Sequence, residues 1–231
     1  MMTLPAASPH RLVYELHAHT YRSHDSLLTP RRLLEICRRK GIDRVAVTDH
    51  NTIRGALEAY DLDPVKVIVG EEIMTAEGEI LAYFVKEEIP QGLTPETTIE
   101  KLRSQGAFIS VSHPFDATRR GSWQEARLRR ILLLLDALEV FNARTWSQAP
   151  NRKAMELASE AGLCGTAGSD AHAPVELGRT VMVMPDFADA AGMRRALADS
   201  EIRRRASSPL VHLLSRYASI RKKLGWRPRE R

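Results

Sequence analysis

Cysteine is scarce in this sequence: Cys37 and Cys164 are the two present, and they lie far apart. That excludes a disulfide-stapled scaffold and the cysteine-rich zinc motifs. Two isolated thiols read as small buried groups in a reducing, cytoplasmic setting. Long apolar runs are absent too. None approaches the ~18–20 residues that a membrane-spanning helix needs, so no membrane partner is expected. The opening MMTLPAASPHRLVYEL lacks a basic stretch followed by an apolar one, and no secretory leader is expected from it. Repeats and low-complexity segments are also missing. What remains is the stock of a globular domain, 43% hydrophobic and 27% charged over 231 residues.

The charge is unevenly placed. From Arg203 onward ten Lys/Arg stand against one acid, Glu230, so this segment carries +9 of a net charge of +5 and the rest of the chain carries −4. An acidic body suits a cation site. A basic tail suits a polyanion such as nucleic acid, although a solvated terminal helix has the same composition.

Apolar runs alternate with helical patterns along the chain. RLVYELHAH, RVAVTDH, VKVIVGEEI, ILAYFV, AFISVSHP, ALEVFNA, CGTAGSDAH and TVMVMP read as strands. Pro30 opens a helix that Gly41 stops, Pro95 opens another, and Pro150 to Gly162 bounds a third. Helices are also expected over TIRGALEAY, SWQEARLRRILLLLD, DAAGMRRALADSE and PLVHLLSRYASIRKKLG. This order predicts an α/β fold with a largely parallel sheet. One domain is expected over residues 12–206, followed by a basic helical tail over 207–231.

The polar residues that break this pattern fall at strand ends. They are His17-Ala-His19, Asp49-His50, Glu72, Ser112-His113-Pro114 and Asp170-Ala-His172. A β/α barrel assembles its active site at that end of its strands. Side chains alternate along a strand with period two, so His-x-His and Asp-x-His each turn two donors to one face. Imidazole mixed with carboxylate suits Zn²⁺, Mn²⁺ or Fe²⁺ better than Ca²⁺ or Mg²⁺. One such motif alone is more often structural than ligating. Their joint occurrence at one rim points to a metal cluster, because burying these groups unpartnered costs several kcal/mol.

Six segments carry a resemblance. Glu15-Leu-His17-Ala-His19-Thr, Ala46-Val-Thr48-Asp49-His50-Asn51-Thr52, Gly70-Glu-Glu72-Ile, Ser112-His113-Pro114-Phe115, Glu139-Val-Phe-Asn142 and Gly168-Ser-Asp170-Ala-His172 resemble the PHP (polymerase and histidinol phosphatase) family, in family order from about Val13 to Arg179. The resemblance implies a distorted seven-stranded β/α barrel, TIM-like, with a short basic C-terminal helical tail. It implies two or three divalent ions (Mn, Zn or Fe) and hydrolysis of phosphate esters. His17, His19, Glu72 and Asp170 would hold one ion, and Asp25, His50 and His172 a second. Glu72 would bridge to a third on His113. Asp25 is preferred over the neighbouring His24. Glu79 stands where many members carry a histidine, and would complete the third position.

A water between two such cations ionises near neutral pH and is the expected nucleophile. Arg144 and Arg179 are the arginines expected to hold phosphoryl oxygens, with Arg119 and Arg120 as weaker choices. No protein-derived general acid is evident; His24, if it is not a ligand, is the candidate proton donor. Trp123 and Trp146 are expected to line or cover the mouth, and His10 and His212 to be surface residues. The leading reading is a phosphatase or phosphodiesterase acting on a small phosphorylated molecule. A nuclease on short or single-stranded nucleic acid, a non-catalytic metal-binding module and a metal-dependent amidohydrolase are the alternatives.

Overall fold

The computed structural model describes residues 11–227, so His10 and the last residues of the tail lie outside it. The strands are β1 (Arg11–Ala18), β2 (Arg44–Val47), β3 (Val67–Met74), β4 (Glu79–Tyr83), β5 (Phe108–Val111), β6 (Ala137–Asn142), β7 (Cys164–Gly168), β8 (Val181–Pro185) and β9 (Glu201–Arg203). The helices are α1 (Pro30–Lys40), α2 (Arg54–Leu62), α3 (Pro95–Ser104), α4 (Glu125–Ile131), α5 (Ala149–Ala161), α6 (Ala190–Leu197) and α7 (Val211–Lys223).

Local chemistry explains the helix ends. Thr29 caps α1 by accepting the Arg32 backbone N–H at 3.3 Å, and Pro30 occupies the first turn. Arg38, Arg39 and Lys40 crowd its last turn, where cations offset the helix dipole. Gly41 then ends it at φ 66°, a left-handed position that glycine adopts without steric cost. Thr94 and Asp189 cap α3 and α6 in the same way as Thr29 caps α1.

The sheet is mixed, not largely parallel. Strands join in the order β5-β4-β3-β2-β1-β8-β9, with a separate β6-β7 pair. β1-β2, β2-β3 and β6-β7 are parallel, while β3-β4, β4-β5, β1-β8 and β8-β9 are antiparallel. The reason is connection length. Four residues, Thr75 to Gly78, separate β3 from β4, and a parallel pair needs a crossover of a dozen or more. The described strands thus form a curled half-barrel with the β6-β7 pair across its opening. The Asp136 backbone N–H, just before β6, donates to the Ile109 carbonyl at 2.8 Å, while its carboxylate accepts the Ile109 N–H at 2.8 Å. On the other side, the Ala171 N–H donates to the His17 carbonyl at 3.1 Å.

Residues 201–203 are strand rather than the end of a helix. Their pairing with Val181–Val183 outweighs the helical pattern of the preceding segment. Of the apolar residues opening the last helix, Val211 is buried, whereas Leu210, Leu213 and Leu214 are exposed. The core divides among Ile73, Ile80, Ile109 and Leu138 under α3, α4 and α5; Tyr14, Leu16, Phe108 and Met182 toward α6; and Leu33, Leu34, Val45 and Val47 under α1 and α2. No helix among the described residues is long and apolar enough to cross a membrane.

Gly168 shows how tightly the strands meet. A Cβ there would lie 2.4 Å from His17 Cβ and 3.0 Å from its backbone nitrogen. Gly168→Ala is expected to destabilise the fold by about 1–3 kcal/mol, the usual cost of overpacking. Leu133→Ala, at a residue 94% exposed, should stay within about 0.5 kcal/mol. Denaturant melts of the two variants check this; equal stabilities would mean that β7 yields freely to β1.

Candidate metal centre

The strand order brings the polar motifs to one end of the curled sheet. His17 lies at the end of β1 and His19 just beyond it; His50 follows β2, and Glu72 lies within β3. β4 runs antiparallel to β3, so its first residue, Glu79, pairs with Met74 at the same end. His113 follows β5, and Asp170 and His172 follow β7. The turn after β1 adds His24 and Asp25.

These side chains converge. His17 Nε2 lies 3.4 Å from Glu72 Oε1 and 3.8 Å from Asp170 Oδ1; His19 Nε2 lies 3.5 Å from Glu72 Oε2 and 3.3 Å from Asp170 Oδ1. Glu72 also meets His50 Nδ1 at 2.9 Å and His113 Nε2 at 3.0 Å. Asp25 faces His172 Nε2 at 3.1 Å and His50 Nε2 at 3.6 Å. Glu79 reaches His113 at 3.5 Å and His50 at 3.8 Å. His17, His19, Glu72 and Asp170 are fully buried.

His17 Nε2, His19 Nε2, Glu72 Oε2 and Asp170 Oδ1 have no hydrogen-bond partner among the described residues. Each such buried atom costs about 1–3 kcal/mol unless something else satisfies it. Donors bonded at about 2.0–2.2 Å to one cation stand some 3–3.5 Å from one another, and the imidazole–carboxylate separations here are 3.3–3.8 Å. Imidazole and carboxylate together are the donor set of Zn²⁺, Mn²⁺ or Fe²⁺. Three further groupings, His19–His50–His172, His24–Asp25–His50 and His50–Glu72–Glu79, also bring ligand atoms within 4.8 Å of one another.

The electrostatics fit the same picture. Burial alone would raise Glu72 and Asp170. Instead His17 and His50 hold Glu72, and Arg119 and His17 hold Asp170, well below the usual carboxylate range. Burial opposes a charge on His50, yet Glu72, Asp25 and Glu79 push it up to about 10. Burial and Glu72 together raise Glu79. Glu72 and Asp170 are therefore the ionised acids at the centre of the cluster.

Two of the residues are held in left-handed backbone, His113 at φ 28° and Asp170 at φ 52°. Non-glycine residues pay for such positions, and they persist where surrounding contacts over-determine them. The His113 N–H is fixed on Glu139 Oε2 at 2.7 Å, and the Asn142 Nδ2 donates to Asp170 Oδ2 at 3.1 Å.

A layer of supporting residues carried no role in the sequence reading. Glu139 Oε1 holds His17 Nδ1 at 2.9 Å and so turns Nε2 to the cluster. Asp49 accepts the Thr20 N–H at 2.7 Å, the Ser23 N–H at 3.2 Å and the Ser23 hydroxyl at 2.6 Å, fixing the turn that carries Asp25. Glu15 accepts the backbone N–H groups of Ser169 and Gly178, each at 2.9 Å. Both Glu139 and Asp49 belong to recognised motifs, and the signal that would have marked them is an acid in a strand that must be buried.

The arginines fall out differently from expectation. Arg179 is not brought to the cluster: the turn before it sets Gly178 against Ile42 and Lys40, and its charge falls on Lys40 at the far end of α1. Arg144 is buried, with Nε 3.0 Å from Glu176 and a second nitrogen on His172 Nδ1. Arg119, rated lower, lies with Nη2 2.6 Å from Asp170 Oδ2. His24 stands at the mouth, its side chain 76% exposed and its Nδ1 3.9 Å from Asp25. Trp123 is buried and donates to the Glu79 carbonyl at 3.0 Å, so it backs β4 and does not line the mouth. Trp146 is exposed and stacks on His212 at 4.8 Å.

Known proteins resemble this chain in sequence and in fold. The PHP domain model matches residues 15–143, and a PHP-associated model matches residues 148–202. An uncharacterised protein of Methanocaldococcus jannaschii is 43% identical over 142 residues, covering 56% of this chain and 81% of the relative. A two-domain protein of Bacteroides vulgatus, containing a predicted PHP-like metal-dependent phosphoesterase, is similar in structure with a TM-score of 0.68 at 20% identity. The match covers 85% of this chain and 66% of that one. The lesion-specific endonuclease PfuEndoQ of Pyrococcus furiosus has a TM-score of 0.59 at 18% identity, over 84% of this chain and 58% of its own. At these identities the structural matches establish a shared fold.

Asp49→Ala is expected to lower the melting temperature, because it leaves the buried Thr20 and Ser23 donors unpaired at about 1–3 kcal/mol apiece. A calorimetric scan checks it. An unchanged melting temperature would show that the Thr20–Asp25 turn holds its shape without this carboxylate.

Proposed function

We propose that this chain, which belongs to the PHP domain family, is a metal-dependent phosphoesterase acting on a small phosphorylated substrate. The observation that carries the reading is the convergence of buried imidazole and carboxylate atoms that lack hydrogen-bond partners among the described residues. His17, His19, Glu72 and Asp170 would hold one cation and Asp25, His50 and His172 a second. His113 and Glu79 are the donors for a third. When bound, such cations supply Lewis acidity toward phosphoryl oxygens and toward water.

The chain's own residues do the rest. Glu139 keeps His17 in one tautomer and orientation. Arg144 and Glu176 orient His172 from behind. Arg119 presents its guanidinium at the edge of the cluster, suited to the oxygens of a phosphate. His24 is the exposed imidazole at the mouth and the candidate donor to the leaving oxygen, with partial desolvation of its ring lowering its pKa from the ordinary histidine value.

A nuclease acting on short or single-stranded nucleic acid is the second reading. The +9 charge from Arg203 onward supports it. Polyanion binding falls steeply with salt, so a salt series on oligonucleotide turnover separates it from the first reading.

The purified protein is expected to carry two or three divalent ions per chain by elemental analysis. It should turn over p-nitrophenyl phosphate or its bis ester with added Mn²⁺, lose this with a chelator and regain it on adding Mn²⁺ back. His17→Ala and Asp170→Ala should fall to background while keeping the circular dichroism of the wild type. Metal-free protein, with no cation taken up on titration, would sink the reading.

A milder loss is expected of Glu139→Gln. Substituting such a supporting partner costs about 10–100-fold in metal affinity. Calorimetric titration with Mn²⁺ measures it, and wild-type affinity would remove Glu139 from the site's support.

A further inference from the structure

Helix α7 lies beyond both matched family regions, the second of which ends at residue 202. Its inward side reaches the metal-site turn. Val211, Ser215, Ala218 and Lys222 recur at intervals of four, three and four, which places them on one helical face. Val211 and Ala218 are buried. Ser215 Oγ accepts from Arg144 Nη2 at 2.8 Å, and His212 Nε2 lies 3.2 Å from the Arg144 carbonyl oxygen. Arg144 in turn touches His172.

Further along the same face, the half-buried Lys222 sets its ammonium on the carbonyl oxygens of both Tyr21 and Ser23. Those carbonyls belong to the turn that leads into His24 and Asp25. Asp49 holds this turn from the inside through the N–H groups of Thr20 and Ser23. Lys222 holds it from the outside through carbonyls, the complementary half of the same backbone. Its neighbours Arg221 and Lys223 are exposed. The basic composition of the tail therefore hides one cation with a specific place. The helix also walls a cleft of about 440 Å³ that includes Asp25, Arg119, Arg144, Trp146, His212 and Ser215.

We propose that Lys222 is a positioning residue of the metal centre: α7 clamps the Tyr21–Ser23 turn and thereby sets Asp25 against His50 and His172. The inference rests on the phosphoesterase reading for what Asp25 holds. It divides the centre in two. The position formed by Asp25, His50 and His172 depends on the C-terminal helix, whereas His17 and Glu72 sit within β1 and β3, and His19 and Asp170 directly follow β1 and β7, outside the clamped turn.

The test uses metal-stripped full-length protein, titrated with Mn²⁺ by calorimetry, alongside hydrogen exchange of residues 20–26. Lys222→Met keeps the aliphatic stem and removes the donor. It is expected to weaken the weaker of two binding phases by about tenfold, at the lower end of what a lost supporting partner costs. The tighter phase should be unchanged, and the turn amides should exchange faster. Lys222→Arg restores cationic donors and should recover most of the affinity. An isotherm and an exchange pattern matching wild type in Lys222→Met would overturn the proposal, as would equal weakening of both phases. Wild-type protein that takes up no Mn²⁺ would instead defeat the phosphoesterase reading. Exchange at residues 20–26 then judges the clamp alone: faster in Lys222→Met supports it, unchanged overturns it.

Discussion

Glu72 is the group on which the rest of this structure turns. It is a fully buried carboxylate, and its two oxygens lie within 3.5 Å of His17, His19, His50 and His113. A lone buried carboxylate is costly, and so is a lone buried imidazolium; each lowers the cost of the other only at short range. The four histidines come from β1, its following residue, and the ends of β2 and β5. None of these strands can shift along its neighbour without separating an imidazole nitrogen from Glu72. A one-residue slip in β3 would turn Glu72 away and put Glu71 in its place. Glu71 already has its own role, accepting the Ile89 N–H at 3.1 Å.

Around this centre the fold places groups that hold the donors still. Glu139 fixes His17 and the His113 backbone together, so one carboxylate joins the ends of β1, β5 and β6. Asp49 gathers the turn after β1, and Glu15 gathers the segment after β7. These acids are acceptors for several donors at once, which rigidifies what they touch. Precise positioning matters here, because a site loose by an ångström loses both affinity and rate. The left-handed backbone at His113 and Asp170 is the strain that this network keeps in place.

The C-terminal segment changes character between sequence and structure. As composition it is a run of like charge, which ordinarily means a solvated face. As a folded element it has an inward side of Val211, Ser215, Ala218 and Lys222 and an outward side with exposed Leu213, Tyr217 and Ile220. Net charge describes long-range attraction, screened over about 8 Å at physiological salt. The contact of one ammonium with two carbonyls is a different kind of interaction, invisible to any count of Lys and Arg.

Much of the rest was legible in the sequence, for local reasons. Period-two spacing put His17 with His19 on a shared face, and start and stop residues bounded α1, α3 and α5; Asp170 and His172 lie beyond β7, with Asp170 in left-handed backbone, so strand alternation does not place them. The four residues between β3 and β4 even carried the antiparallel turn that a largely parallel reading passed over. Other features depended on distance along the chain. β9 is a strand because Val181–Val183 lies beside it, 20 residues back in sequence, and no local pattern reports that pairing. Arg179 and Arg119 each follow a candidate metal motif closely, and the reading from sequence alone ranks Arg179 above Arg119, an order that the structure reverses. The turn before Arg179 carries it to Lys40, whereas the loop before Arg119 returns it to Asp170. Residue type and spacing determine which groups can bind a cation together; which arginine, which supporting acid and which lysine reach them is decided by chain crossings that only the folded structure contains.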